Sequence, residues 1–429
     1  MGKQEMKDLS LVSHFVYNCR KCGLCGSKFT ARVPYVCPVK ESTGGFEHSS
    51  ARGKIILAQG LLEGEICPSR ELAEIIYTCT LCGNCRIQCG SIDNSTGLPL
   101  VDIPRVIEAM RADLLREHPE LVDQAYQTMF NATRQYDNPW GLPRTVKERW
   151  AKGLSLKDAR KELHEVLLFT GCTILSHPAL VTRAQKAALI LQKAGVDFAV
   201  LGKNEPCCGS VQKRVGALDL SQEMKEKNIS LLNSLGSSTI VTLCAGCYHT
   251  LKNDYPGGET PLKPEVYHFV EFVSQLVKKE KLAFTRKKSL TVTYHDPCHL
   301  GRMMKVFDPP REILKALPGI TLVERAASRE NTICCGAGGG MRLFGGGILA
   351  EEIGKAAVQA ARDAGAEAVV TACPFCELNL DAAARQPGFP LAVYDITDLV
   401  SECSGIEVDY CSLIKTTLKK TEFVQKPRS

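Results

Sequence analysis

Long hydrophobic runs are missing from this chain of 429 residues. A membrane-spanning helix needs roughly 18 consecutive apolar residues, and no stretch approaches that, so no transmembrane segment is expected. No secretion leader is expected either. Met1 to Phe15 carries lysines, but no apolar stretch follows them and there is no small-residue cleavage site. Charge of one sign is scarce: 53 Lys and Arg against 47 Asp and Glu leave a formal charge of +6. That is too mild for this length to point to a nucleic-acid partner. The spaced glycine fingerprint of dinucleotide sites is absent, and no flavin, haem or nicotinamide motif stands out. What remains, 44% hydrophobic and 23% charged, is a soluble globular composition with length enough for two or three domains.

What the chain does have is cysteine, 21 of them. The odd count, the short Cys-x-x-Cys spacings and the missing leader argue against a disulfide scaffold. They favour reduced thiolates in a cytoplasmic compartment, ready to bind soft metals. Basic residues gather at Lys278 to Lys288 and in the tail from Lys415 to Arg428. These are expected to be a solvated linker and a frayed end. The sharper alternative is a docking surface for an acidic redox partner or a membrane face.

Nine cysteines lie between Cys19 and Cys89, and none between Gly90 and Gly171. The gap reads as helix. Asp102 can cap a start with Pro104 in the first turn, and Val106, Ile107, Met110 and Leu114 recur at helical spacing. Helices are also expected over Leu121 to Tyr136 and Ala51 to Leu62. From about Leu163, short apolar strands alternate with amphipathic helices, as parallel α/β units require. Strands are expected at Val166 to Phe169, Phe198 to Leu201, Ile240 to Leu243, Leu290 to Tyr294, Ile320 to Val323 and Ala368 to Thr371. Helices are expected at Ala179 to Ala194 and Val211 to Leu235.

The second half repeats the first. Cys172, Cys207, Cys208, Cys244 and Cys247 map onto Cys298, Cys334, Cys335, Cys373 and Cys376 at separations of 126 to 129. Val266-Tyr267-His268 matches Val393-Tyr394-Asp395, 127 apart. Two tandem copies of one module explain this. The expected organisation is a helical domain over 1–160, a first α/β module over 161–285 and a second over 286–429, with the lysine-rich stretch near residue 280 as the link.

In the first block, Cys79-x2-Cys82-x2-Cys85-x3-Cys89 has the spacing of a bacterial ferredoxin motif, in which the fourth cysteine reaches the neighbouring cluster. Cys19-x2-Cys22-x2-Cys25 repeats the triplet, with Cys37-Pro38 as its distant fourth member. The expected pairing is Cys19, Cys22, Cys25 and Cys89 around one [4Fe–4S] cluster, and Cys79, Cys82, Cys85 and Cys37 around the other. A pair of structural zinc sites is the alternative, although zinc more often uses two separated Cys-x-x-Cys pairs. Cys67 is either a substitute for Cys37 or a lone buried thiol.

Each α/β copy offers one cysteine after its first strand, an adjacent pair after its second and a Cys-x-x-Cys after its third, all at strand ends where such sheets place ligands. Four thiolates satisfy a cubane or a tetrahedral zinc, so the fifth is surplus to either. Adjacent thiolates suit a larger or opened cluster. The alternatives are a vicinal disulfide switch, or zinc on the Cys-x-x-Cys alone. Gly336, Gly338, Gly339 and Gly340 would let the backbone approach closely. His295 and His299 flank Cys298, either as proton donors to a nascent thiolate or as hydrogen-bonded supports of the cysteines.

Thr170-Gly171-Cys172, Cys207-Cys208-Gly209, Cys334-Cys335-Gly336 and Cys373-Pro374-Phe375-Cys376 resemble the twin CCG domains of heterodisulfide reductase. The first block is similar to that family's two-cluster ferredoxin-like subunit, fused here as in its membrane-type catalytic subunit. The resemblance implies a helical ferredoxin-like domain followed by two tandem Rossmann-like CCG modules. It implies two cubane [4Fe–4S] clusters, and two noncubane [4Fe–4S] clusters on the ten repeat cysteines. Between the latter a disulfide is split by successive one-electron transfers. It further implies a redox partner: a flavoprotein, an electron-transfer flavoprotein or a membrane cytochrome, the last of which would hold the chain at the inner membrane face. Iron–sulfur subunits of glycolate and lactate oxidases share the layout. They supply the second expectation, an electron conduit between a flavoprotein and a quinone or cytochrome. A zinc-stapled scaffold is the third.

Overall fold

The structure is a computed structural model describing residues 6–27, 33–257 and 260–408. The basic tail from Lys415 and Cys411 lie outside the described residues. A strand buried on both faces needs cover on both sides, and Val166–Phe169 is such a strand, with all four residues buried. Among the described residues, nine strands form two sheets. β1 (Lys157–Asp158), β2 (Val166–Phe169), β3 (Phe198–Val200), β4 (Thr239–Thr242) and β5 (Glu265–His268) make the first, in the order β1-β3-β2-β4-β5. β6 (Leu290–Tyr294), β7 (Ile320–Leu322), β8 (Ala368–Thr371) and β9 (Ala392–Asp395) make the second, in the order β7-β6-β8-β9. Every pairing is parallel. The chain is therefore a helical domain followed by two parallel α/β units.

All six expected strands are present within one or two residues. Sequence reading omitted the outer strands β5 and β9, although they carry the Val-Tyr match that signalled the repeat. The first sheet also takes its edge strand from residues 157–158, ahead of the expected boundary at 161. In the helical domain, Ala51–Glu63 is capped by Ser50 Oγ, which accepts from Gly53 N at 3.1 Å. Ile103–Glu117 starts at Asp102 with Pro104 in its first turn. The helix expected from Leu121 begins at Gln124, because the Asp123 carboxylate caps Ala125 N at 2.9 Å.

The single helix expected over Val211 to Leu235 is broken into Ser210–Arg214 and Leu218–Ser234. Gly216 turns the chain at φ 96°, and a Cβ there would lie 2.5 Å from the backbone carbon of Arg111. The break lets the module pass close over the helix Ile103–Glu117. The basic stretch Lys278 to Lys288 is mostly exposed, and Thr285 and Arg286 donate backbone N–H groups to the Cys403 carbonyl at 2.8 and 2.9 Å. It links the modules as a tethered, solvated connection.

Three contacts lock these parts together. Arg111, fully buried, donates to the carbonyls of Arg214, Gly339, Ile76, Tyr77 and Cys79 at 2.7 to 3.2 Å. One side chain thus joins the helical domain to both modules. Arg183 of the first module pairs with Glu377 and Asp398 of the second. Gly338 and Gly339 lie so near the backbone of Thr80 and Cys79 that a Cβ on either would stand 2.4 Å from a carbonyl oxygen.

Candidate metal centres

The two cysteine triplets sit in short loops, each turning through a left-handed glycine, Gly23 and Gly83. Cys19, Cys22, Cys25 and Cys89 line one small cavity together with Arg20, Lys21 and Arg52. Cys37, Cys79, Cys82 and Cys85 line a second with Lys54 and Thr80. The fourth cysteine of each motif thus lies with the other triplet, in the grouping read from spacing. Cys67 lines neither cavity and is exposed, which corrects the expectation of a buried thiol. Its place is the connection before Pro68 and the Ser69 cap, where the chain runs over the surface. Cys403 is fully buried at the end of its helix.

All ten repeat cysteines are buried. Nine line a single cavity between the modules, of about 100 Å³, with five from the first module (Cys172, Cys207, Cys208, Cys244, Cys247) and four from the second (Cys298, Cys335, Cys373, Cys376). Cys172 Sγ is 3.6 Å from Cys207 Sγ, and Cys208 Sγ is 3.3 Å from Cys247 Sγ, contacts far longer than a disulfide bond. Cys244 and Cys373 lie close enough across the module boundary to perturb each other's thiols. Cys334 turns away from this cavity. Its Sγ lies 3.6 Å from Thr80 Oγ1, and it packs with Cys82, Val39, Cys298 and Ile353.

The vicinal pairs are held by their carbonyls. Asn228 Nδ2 donates to Cys207 O at 2.8 Å and Tyr255 Oη to Cys208 O at 3.0 Å. In the second module Asn379 Nδ2 donates to Cys335 O at 2.5 Å. Glu205, two residues before the first pair, accepts from Thr170 N, Thr170 Oγ1 and Gly171 N at 2.7 to 2.9 Å. That carboxylate fixes the turn carrying Cys172.

These thiols fit a multiply charged, sulfur-seeking group better than they fit one another. Burial, then Cys19, pushes the Cys25 thiol up to about 12. Burial pushes Cys37 up to about 11 despite nearby Lys54. Thiolates crowded this closely ionise together only when a metal neutralises them. Buried polar atoms beside the second repeat site also lack partners, namely His295 Nδ1 and Arg325 Nε and Nη1. One nitrogen of His295 falls within 4.8 Å of the Cys335 and Cys376 sulfurs. Burial, then Arg325, pushes His295 down to about 3. His299 Nδ1 is 3.4 Å from Cys298 Sγ, and its ring meets that of His249 edge-on, centroids 5.3 Å apart. Burial holds it, too, well below the usual histidine range. Burial thus favours the neutral form of both imidazoles.

Several residues escaped the sequence reading: Arg111, Lys147, Glu205, Arg302 and Arg325. Only Arg111 left a trace. It falls four positions after Ile107 on the apolar stripe of its helix, where a charge has no business unless it is partnered.

Trp140 and Phe375 stack at 6.4 Å beside the shared cavity, and Met129, Ile174 and Leu343 complete an apolar wall. Among the described residues, no helix is long and apolar enough to cross a membrane.

Comparison with known proteins agrees with this geometry. The cysteine-rich domain called CCG matches residues 166–252 and again 292–381. The 4Fe-4S dicluster domain matches residues 15–91. The chain is 32% identical over 415 residues to the D subunit of the dihydromethanophenazine:CoB--CoM heterodisulfide reductase of Methanosarcina acetivorans, covering 91% of this chain and 95% of that protein. It is 35% identical over 347 residues to "Probable iron-sulfur-binding oxidoreductase FadF" of Bacillus subtilis, covering 77% of this chain and 46% of the relative. It is 30% identical over 367 residues to "EtfAB:quinone oxidoreductase" of Syntrophomonas wolfei, covering 81% of this chain and 49% of the relative.

Proposed function

This chain belongs to the family of heterodisulfide reductase D subunits and their twin-CCG iron–sulfur relatives, and on that footing we propose that its paired repeat sites reduce or oxidise a disulfide, a thiol or a similar acceptor. Cys19, Cys22, Cys25 and Cys89 hold one cubane [4Fe–4S] cluster in this reading, and Cys37, Cys79, Cys82 and Cys85 the other. Cys172, Cys207, Cys208, Cys244 and Cys247 hold one noncubane [4Fe–4S] cluster. Cys298, Cys334, Cys335, Cys373 and Cys376 hold the second. Bound there, the clusters supply single-electron storage at four places, and hence the two electrons that opening a disulfide takes.

The observation that carries the reading is the shared cavity, where nine repeat cysteines from both modules meet. The protein's own part is positioning. Glu205 and Asn228 set the first vicinal pair, and Asn379 sets the second. Trp140 and Phe375 shield the space from bulk water, and His299 offers a neutral N–H beside Cys298. Electrons come from a partner of flavoprotein, electron-transfer flavoprotein or membrane cytochrome type. The protein works in the cytoplasm, at the inner membrane face where that partner is a cytochrome.

Anaerobically purified protein tests this. Iron and sulfide near about sixteen each per chain, with four distinct paramagnetic signals, are expected for four such clusters. About eight iron with stoichiometric zinc overturns the noncubane assignment. Reoxidation of reduced protein by a disulfide, with an altered repeat-site signal, is the expected response. Silence across a panel of disulfides favours the second reading, a conduit between a flavoprotein and a quinone, which the name of the Syntrophomonas relative supports.

A further inference from the structure

The two modules repeat closely enough for the walls of their sites to be compared residue by residue. Cys207 and Cys334 are 127 positions apart, and the same step carries Glu205 to Thr332. Cys172 and Cys298 are 126 apart, which carries Phe169 to His295 and Ser176 to Arg302. Strand pairing sets Val166 opposite Phe198 and Val292 opposite Leu322. That step of 124 carries Leu201 to Arg325.

The substitutions change the charge around each site. At the first, the buried Glu205 carboxylate lies within electrostatic reach of buried Lys147, whose ammonium donates to the Asp137 carbonyl at 3.0 Å and the Glu205 carbonyl at 2.5 Å. The two charges offset each other. At the second, Thr332 stands in place of the carboxylate and two arginines converge on it. Arg302 donates to the carbonyls of Thr332, Glu330 and Cys82 at 2.5, 2.7 and 2.9 Å. Arg325 donates from Nη2 to Thr332 Oγ1 and Tyr294 O, while its Nε and Nη1 have no partner.

Both arginines are buried, at 2% and 3% exposure, and among the described residues neither has a carboxylate partner. The nearby acids are fewer than the cations. Asp296 and Glu324 bind Arg311 and also act on Arg325 from a distance, while Arg302 donates to carbonyls alone. Three buried arginines against two carboxylates favour whatever negative charge enters beside them.

We propose that the two repeat sites are electrochemically unequal, with Arg302 and Arg325 holding the second at the higher reduction potential, so that it accepts an electron before the first does. This rests on the reading that each module holds a cluster. The second site is also the one whose Cys334 touches Cys82. One electron lost by the site of Cys37, Cys79, Cys82 and Cys85 is one gained by the second repeat site, a side-chain contact away. A second electron then populates the first repeat site, across the cavity. Arg302 and Arg325 are positioning residues in this scheme, acting through charge.

Stepwise dithionite reduction of the anaerobic holoprotein, followed by paramagnetic resonance with iron counted on the same sample, tests the inference. Two repeat-site midpoints are expected, apart by at least a tenfold equilibrium constant, or about 59 mV for a one-electron couple. Arg325→Met should lower the higher midpoint by about 59 mV, a tenfold change in equilibrium constant, and leave the other in place, and Arg325→Lys should restore most of the loss. Should Arg325→Met fail to fold, Glu205→Gln serves instead, raising the lower midpoint. Coincident midpoints in iron-replete protein overturn the inference, as do variants that move both midpoints equally or neither. Protein with about half the iron and no repeat-site signal overturns the underlying reading, and the inference with it.

Discussion

Cys82 of the second triplet and Cys334 of the second vicinal pair pack together with Val39, Cys298 and Ile353. They come from motifs 252 positions apart in sequence. This packing, with Thr80 Oγ1 3.6 Å from Cys334 Sγ, brings the second triplet and the second repeat site into direct side-chain contact.

Replacing either cysteine should therefore be felt at both places. Cys334→Ala is expected to remove the signal of the second repeat site and to alter, without abolishing, that of the second triplet. Cys82→Ala should do the converse. Total iron on the purified variants, with paramagnetic resonance, reads the two effects separately.

Arg111→Met leaves five carbonyls without their donor and loosens both modules from the helical domain. A buried carbonyl that loses its donor costs about 1–3 kcal/mol. Denaturant unfolding should show a loss of that size. Arg111→Lys, a point charge in place of a planar fork, should recover only part of it.

Gly338→Ala drives a methyl group to 2.4 Å from the Thr80 carbonyl oxygen. Backbone cannot yield there as a flexible side chain would, so a loss of about 1–3 kcal/mol is expected. Electron transfer from the second triplet to the repeat sites should slow as well, visible in rapid-freeze reduction. Gly345→Ala, where nothing lies within 4 Å of the added Cβ, is the control for a glycine loop of the same region, apart from the strain of its positive φ.

Burial pushes Glu377 up to about 7, against the pull of Arg183. The folded chain then binds more protons than the unfolded chain between about pH 4.5 and 7, and stability falls as pH rises through that window. Glu377→Gln should flatten this slope. Unfolding midpoints of the wild type and the variant, measured side by side across the window, check it.

Local signals made the thiol groupings and the strands legible. A triplet spacing constrains which sulfurs can meet, so Cys37 and Cys89 could be placed beside the opposite triplets, where the structure also brings them, before any fold was known. Strands such as Val166–Phe169 are short apolar runs that report themselves. The break at Gly216 could not be read, because its cause is the backbone of Arg111, a hundred residues away. Arg302 and Arg325 were invisible for the same reason: a lone arginine reads as surface until the carbonyls that receive it are in place. The turn of Cys334 towards Cys82 depends on how the last module docks, which no spacing encodes. Cys67 shows the opposite limit, a cysteine that looks like a ligand by its following proline yet lies on the outside.

Gly338 and Gly339, pressed on the backbone of Thr80 and Cys79, lie about 260 positions further along the chain. The loop of the second triplet is therefore covered only once the second α/β module has folded onto it. Its shelter from solvent is a property of the assembled chain, and the helical domain alone does not supply it.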